Sequence, residues 1–509
     1  MNETRTSRAT NVGPALTGRP VPAAIDRFER AFARTAGAEP VAGNTVRLLL
    51  DAGENFPAWV AAIRSAQRYI LFEMYIVADD RVGRMFAEVL AERARAGVHV
   101  YVVYDWLGSL GAGKLWTLLR EAGVEVTSFN PPSFEGPLAW LTRDHRKCIV
   151  VDDAVGYVSG LCVSCVWEGN AAKRLEPWRD SGVEIRGPAV ADLVRAFDTV
   201  WIACGHKPLD LPGRTLQAPA GSAIVRVIAG VPSAAGAYRT DLLVASVAHA
   251  RLWLTDAYFV ATSAYTQALR AAAQDGVDVR LLVPGASDIP AVSPLSRAGY
   301  RPLLEAGVRV FEWNGTMLHA KSAVADGLWS RVGSTNLNLA SWMSNYELDV
   351  AVEDVTFAKQ MEAQYERDLE RATEIVLTRR NRVRRAEGEL APVEGAAQPN
   401  VRRAKRGSAG RAVAGAASVG SALGAALTNR RTLGPAEAGL LGVASIATIG
   451  LALVAFLFPR VLAWPIAVIA AWIGVAWGVK AWLLWRRARR GRMAVARRVP
   501  VDEGGGPSP

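Results

Sequence analysis

The chain has 509 residues, too many for one hydrophobic core, so two or three domains are expected. Half of it is hydrophobic, and its net charge of +11 is unevenly placed: residues 381–509 carry 19 Lys and Arg against 6 Asp and Glu, a net +13, which leaves residues 1–380 at −2. A near-neutral body argues against a non-specific nucleic-acid enzyme, which would spread Lys and Arg over its folded surface.

Residues 1–43 are polar with scattered Pro and Gly and read as a loose N-terminal arm, apart from a helical pattern around Ile25 to Ala36. From Thr45 strands and helices alternate. Tyr69 to Val77 (YILFEMYIV) is an apolar run of strand type, and Arg81 to Ala96 has helical periodicity ending at Gly97. Val98 to Trp106 is a second strand, Lys114 to Ala122 a helix stopped by Gly123, and Val124 to Phe129 a third strand. This alternation predicts an α/β fold with a mostly parallel or mixed sheet. No apolar signal segment opens the chain, so Cys148, Cys162, Cys165 and Cys204 read as reduced, buried thiols. The pair Cys162 and Cys165 has no second CxxC to complete a zinc site.

The order then recurs. Leu252 to Val260 resembles Ile70 to Ala78, Ala271 to Val283 resembles Ala91 to Val103, and Leu303 to Val310 resembles Leu118 to Val126. Two homologous domains follow, over residues 44–206 and 222–380, joined by a Pro-rich linker at 207–221. The second carries His319 and Lys321 in LHAKSAVAD, with Asp326 five residues after the lysine and then Gly333, Ser334 and Asn336. Two-residue spacing on a strand puts imidazole and ammonium on one face, a pairing suited to a phosphate: one group reacts at phosphorus and the other balances charge on oxygen. The first domain repeats the set with His145, Lys147 and Asp152, followed by Ser159, Gly160 and Cys162.

Two copies of HxK, then Asp, then a Gly/Ser turn resemble the signature of the phospholipase D superfamily over roughly residues 45–375. The segments FEMYI, YDWLGS, WRDSGVEIRGPAV, LVPGASD and VGSTNLNLASWMSNYELDV are similar to its bacterial cardiolipin synthases. The resemblance implies two phospholipase D-like domains packed around one interfacial active site. There His145, Lys147, Asp152, His319, Lys321 and Asp326 are the catalytic candidates, with one histidine forming a phosphohistidine and the other moving the proton. It favours His145 as nucleophile, although the residues themselves leave that polarity open. Ser334, Asn336, Ser159 and Gly160 are the substrate-binding candidates; Glu347, 28 residues after His319, resembles the family's orienting carboxylate, and Asp180 is its counterpart in the first half. Asp152 and Asp326 are expected mainly in structural ion pairs near the motif. Cys162 departs from the usual Asn and Ser159 from the usual Gly, so the half-sites are expected to be unequal. No metal or other cofactor is required.

Residues 381–437 read as a basic Ala/Gly-rich tether. Ala438 to Phe458 and Val461 to Trp485 are each long and apolar enough to span a bilayer, giving a C-terminal transmembrane helical hairpin over 438–485 and a basic tail over 486–509. Basic clusters on both sides place both ends, and the catalytic body, on the cytoplasmic face of the inner membrane. The expected activity is a membrane-anchored phosphatidyltransferase making cardiolipin from phosphatidylglycerol, with an anionic membrane surface as partner and no specific nucleic acid. The alternatives are a phospholipase D releasing phosphatidic acid, a phospholipase D-type nuclease, and a catalytically dead scaffold.

Overall fold

The computed structural model describes residues 23–377 apart from 133–140, 174, 290 and 291, together with 383–385 and scattered positions between 453 and 479. Among the described residues sixteen strands form one mixed sheet. The first half supplies β1 (Val41–Leu50), β2 (Tyr69–Met74), β3 (His99–Asp105), β4 (Glu125–Phe129), β5 (Lys147–Val151), β6 (Val155–Ser159) and β7 (Ser181–Arg186). The second supplies β8 (Ala223–Gly230), β9 (Arg251–Thr255), β10 (Asp278–Pro284), β11 (Arg309–Trp313), β12 (Ser322–Ala325), β13 (Trp329–Gly333), β14 (Glu347–Glu353), β15 (Ala372–Leu377) and β16 (Val383–Arg385).

Strands β1 and β8 meet antiparallel at the centre. Outward from this seam the order is β1-β7-β6-β5-β2-β3-β4 on one side and β8-β14-β13-β12-β9-β10-β11-β15-β16 on the other. The parallel runs β2-β3-β4 and β9-β10-β11 occupy matching places. The internal repeat of the sequence is therefore a pseudo-two-fold arrangement of one continuous sheet.

Strand β2 is apolar at five of its six positions because both faces of the sheet are covered. On one face, helix Val190–Ala203 inserts Leu193, Phe197 and Trp201, and helix Val355–Leu369 inserts Phe357, Met361 and Tyr365, each set at i, i+4, i+8 spacing. These residues share a single core with Val183, Val225 and Val350, so the apolar cluster runs across the seam. Each large side chain buried there contributes roughly 1.5–3 kcal/mol, which makes the two halves one packed body. The opposite face is covered separately in each half, by helices that include Asp51–Ser65 and Arg81–Arg95 in the first and Gly236–Val247 and Ser263–Gln274 in the second.

The arm expected over residues 1–43 is not loose throughout. Helix Ala23–Ala36 buries Phe32, Ala33 and Ala36, and the Arg226 guanidinium lies 4.7 Å from the centre of the Phe32 ring. The i, i+4 pair Phe32 and Ala36 gives this helix an apolar edge that packs on the second half. The expected tether, membrane hairpin and basic tail lie outside the described residues, apart from β16 and a few helical positions such as Trp464 and Val475, which are exposed. Among the described residues no helix is long and apolar enough to cross a membrane.

Candidate active site

Two short exchanges between the halves build the site. The chain entering His145 runs beside the chain entering β14: His145 N–H donates to Tyr346 O at 2.9 Å and Tyr346 N–H to Arg143 O at 2.9 Å. Symmetrically, the chain entering His319 runs beside that entering β7: His319 N–H donates to Arg179 O at 2.7 Å and Arg179 N–H to Met317 O at 2.8 Å. One residue beyond each contact stands a carboxylate, Glu347 after Tyr346 and Asp180 after Arg179.

The carboxylates are thereby exchanged. Glu347 of the second half lies 2.9 Å from His145 Nδ1, and Asp180 of the first half lies 2.7 Å from His319 Nδ1. An Nδ1–H held by a carboxylate fixes the tautomer and leaves the Nε2 lone pair for chemistry. Burial alone raises both carboxyls, but the adjoining imidazole and lysine outweigh it, and Asp180 and Glu347 lie below the ordinary carboxylate range. Burial lowers His145 against the pull of Glu347. Burial, with the Lys321 ammonium beside it, takes His319 down to about 3. Burial thus favours the neutral form of both imidazoles in the free cleft.

Lys147 and Lys321 are buried, and each ammonium donates to the carbonyl of the histidine two residues before it. Their charges reach across the cleft, Lys321 acting on His145 and Lys147 on His319. Burial lowers Lys321 to about 8, with Lys147 adding to the effect. Tyrosines wall both half-sites: Tyr75 lies 4.8 Å from the His145 ring and 5.0 Å from Lys147 Nζ, and Tyr258 lies 5.8 Å from His319 and 5.6 Å from Lys321. The four HxK residues expected to meet do so.

Asp152 and Asp326 do not join them. Each follows a strand that leads away from its lysine, a run of five residues and roughly 16 Å. Each sits at positive φ, 54° and 53°, in the mirror-image turn that closes a β-hairpin. Among the described residues neither makes the expected ion pair. Asp152 accepts the backbone N–H groups of Gln67, Arg68 and Tyr69, and Asp326 those of His249, Ala250 and Arg251, so each ties its hairpin to the chain entering β2 or β9.

Three of the four substrate-binding candidates also serve other purposes. Ser334 Oγ donates to Glu347 Oε2 at 2.5 Å, the same oxygen that His145 contacts. Gly160, its counterpart, gives Asp180 room: a Cβ there would stand 2.1 Å from Asp180 Oδ1. Ser159 Oγ donates to Leu161 O at 3.3 Å. Asn336 alone keeps an amide atom uncommitted. Its nitrogen is 3.5 Å from Ser341 Oγ and its buried oxygen has no partner among the described residues. The serine hydroxyl serves either amide orientation, and the turned amide offers N–H to an anion. Cys162, in the matching place, is fully buried, and burial pushes its thiol up, so it remains a neutral filler without a strong donor.

Three residues escaped the sequence argument. Arg146, between His145 and Lys147, points away from them and donates to Glu347 O, Ala196 O and Gly230 O, bridging the halves. Arg179 pairs with Asp368 at 2.9 Å and reaches Asp51 at 3.3 Å, locking the other exchange. Trp167 donates Nε1–H to Asp180 Oδ2 at 3.0 Å, and its ring lies 5.4 Å from His319. The indole does for Asp180 what Ser334 does for Glu347. The sign in the sequence was Gly160 where the other half has Ser334: a carboxylate without its hydroxyl needs another donor.

Comparison with known proteins gives three results. Residues 244–369 match the family model described as "Cardiolipin synthase, PLD-like domain". A cardiolipin synthase A of Pseudomonas aeruginosa is 36% identical over 364 residues, covering 70% of this chain and 73% of that protein, and one of Pseudomonas syringae is 34% identical over 367 residues, covering 70% and 75%. The crystal structure of phosphatidylserine synthase from Haemophilus influenzae superposes with a TM-score of 0.56 at 15% identity, over 68% of this chain and 92% of that one, which shows the same fold. With two HxK half-sites closed around one cleft and a relative matched along most of its length, the chain belongs to the cardiolipin synthase family of the phospholipase D superfamily.

Proposed function

We propose that this protein is a membrane-anchored phosphatidyltransferase that makes cardiolipin and glycerol from two molecules of phosphatidylglycerol. The observation that carries this reading is the pair of carboxylate-held imidazoles beside two buried lysines. One Nε2 attacks phosphorus, and the bond to the departing glycerol oxygen breaks as the other imidazole supplies its proton. The resulting phosphatidyl-histidine is then attacked by a hydroxyl of a second phosphatidylglycerol. That hydroxyl's proton returns to the second imidazole and the N–P bond breaks. An anionic phosphodiester between Lys147 and Lys321 offsets the charges that help hold the histidines neutral, so the acid acquires its proton as substrate binds. The lysines and Asn336 stabilise the phosphoryl oxygens. Family resemblance supports His145 as nucleophile and His319 as acid and base.

The apolar runs at 438–458 and 461–485 and the flanking arginines support anchoring in the inner membrane with the cleft on the cytoplasmic side. Purified protein in micelles with labelled phosphatidylglycerol is expected to release cardiolipin and glycerol in equal amounts. Phosphatidic acid as the sole product would assign a hydrolase instead, and cleavage of single-stranded DNA without lipid turnover would overturn both. Trp167→Phe keeps the ring and removes the donor to Asp180. We expect kcat to fall roughly 10- to 100-fold, the worth of a hydrogen bond to a charged group, with KM unchanged. A shift in KM alone would show that the indole acts on substrate binding.

A further inference from the structure

A groove of about 570 Å³ opens on the first half, between helices Asp51–Ser65 and Arg81–Arg95 and the segment after Trp167. Its walls include Ala52, Phe56, Val60, Met85 and Pro177, and the ion pair of Arg81 with Glu168 also lines it. The volume falls within the range of small-molecule sites, roughly 300–1,000 Å³, and the lining is mainly hydrocarbon. Three wall residues are each one position from the shell of His319. Glu168 follows Trp167, whose ring is 5.4 Å from His319. Pro177 precedes Trp178, whose ring is 5.5 Å from it. Ala52 follows Asp51, which accepts the N–H of Asp180 at 2.8 Å. Through these chain neighbours the groove adjoins the residues packed around His319.

In the second half, helix Ala23–Ala36 packs on the counterpart of helix Asp51–Ser65. There Gly236 and Ala237 begin the helix that corresponds to Asp51–Ser65, and Ala36 sits against them: a Cβ on Gly236 would stand 2.7 Å from Ala36 O. Among the described residues no such helix packs on Asp51–Ser65 of the first half.

We propose that this groove holds an acyl chain of the phospholipid whose phosphate is engaged at His319. The inference rests on the transferase reading and adds a place for the substrate's hydrocarbon. A phosphate seated between the lysines leaves a diacylglycerol body that must leave the cleft, and the indole wall leads it over Pro177 onto Phe56, Val60 and Met85. Each methylene taken from water is worth roughly fourfold in binding.

Two variants fill the groove without touching the catalytic groups: Val60→Trp and Met85→Trp, both at half-buried positions. They are assayed on dihexanoyl and dioctanoyl phosphatidylglycerol, each below its micelle concentration. The wild type is expected to prefer the longer lipid by roughly 15-fold in kcat/KM, two methylenes of one chain entering the groove. Both variants should bring the ratio near one by lowering turnover of the dioctanoyl lipid far more than that of the dihexanoyl lipid, with an unchanged circular dichroism spectrum reporting an intact fold. A ratio unchanged in both variants, or equal losses on both lipids, overturns the proposal. Failure of the wild type to turn over either lipid would overturn the transferase reading itself, and the groove assignment with it.

Discussion

His145→Ala and His319→Ala are each expected to reduce phosphatidyl transfer to background, a loss of at least roughly 10⁴-fold. Each imidazole has its Nδ1 committed to a carboxylate, 2.9 Å and 2.7 Å away, so each brings one free nitrogen to the phosphorus and neither can do both tasks. An activated phosphodiester, whose leaving group needs no proton, separates the roles. The variant that lacks the acid should still release a burst of leaving group as the phosphohistidine forms, and the variant that lacks the nucleophile should release none. With His145 as nucleophile, the burst belongs to His319→Ala. Substantial turnover of phosphatidylglycerol by either variant would rule out a mechanism with two histidines.

The exchanged carboxylates make the second large prediction. Asp180→Asn and Glu347→Gln should each lower kcat by roughly 10³- to 10⁴-fold, because an amide no longer holds the imidazole in the required tautomer. The two variants should differ in kind. Asp180→Asn acts on His319 and should keep the burst with the activated ester, whereas Glu347→Gln acts on His145 and should lose it. The pH dependence follows from the same contact. Burial lowers His319 and the Asp180 charge opposes that. Removing the charge lowers His319 further, so the protonated acid is scarcer and the basic limb of the kcat profile moves to lower pH. A profile displaced to higher pH, or identical burst behaviour in the two variants, would show that the carboxylates do not act across the halves.

The core chemistry was legible because it is written twice: His145 with Lys147 and His319 with Lys321 have equal spacing in the extended chain that enters matching strands, β5 and β12, where spacing of two means one face. The aspartates were misplaced for the same geometric reason read too loosely. Five residues are close in sequence but a full strand away in space, and positive φ at Asp152 and Asp326 marks turn residues. Glu347 and Asp180 were identifiable as orienting groups, yet the exchange was hidden, because it depends on Tyr346 and Arg179 each lying beside the opposite half's motif. Arg146 was hidden in plain view at the middle position of its HxK, on the face turned from the cleft. Strands β1 and β8, whose pairing sets the seam, are too ordinary in sequence to announce a partner some 180 residues away.

Exchange of Glu347 and Asp180 has a consequence for the life of the enzyme in a cell. A newly made first half holds His145 and Lys147 but not the group that tunes the imidazole, and the second half has the converse deficit. The chain is not expected to transfer phosphatidyl groups while partly synthesised or partly folded, since each histidine meets its carboxylate only when the seam closes. The interlock works as a built-in safeguard: the same docking that completes the body also arms it.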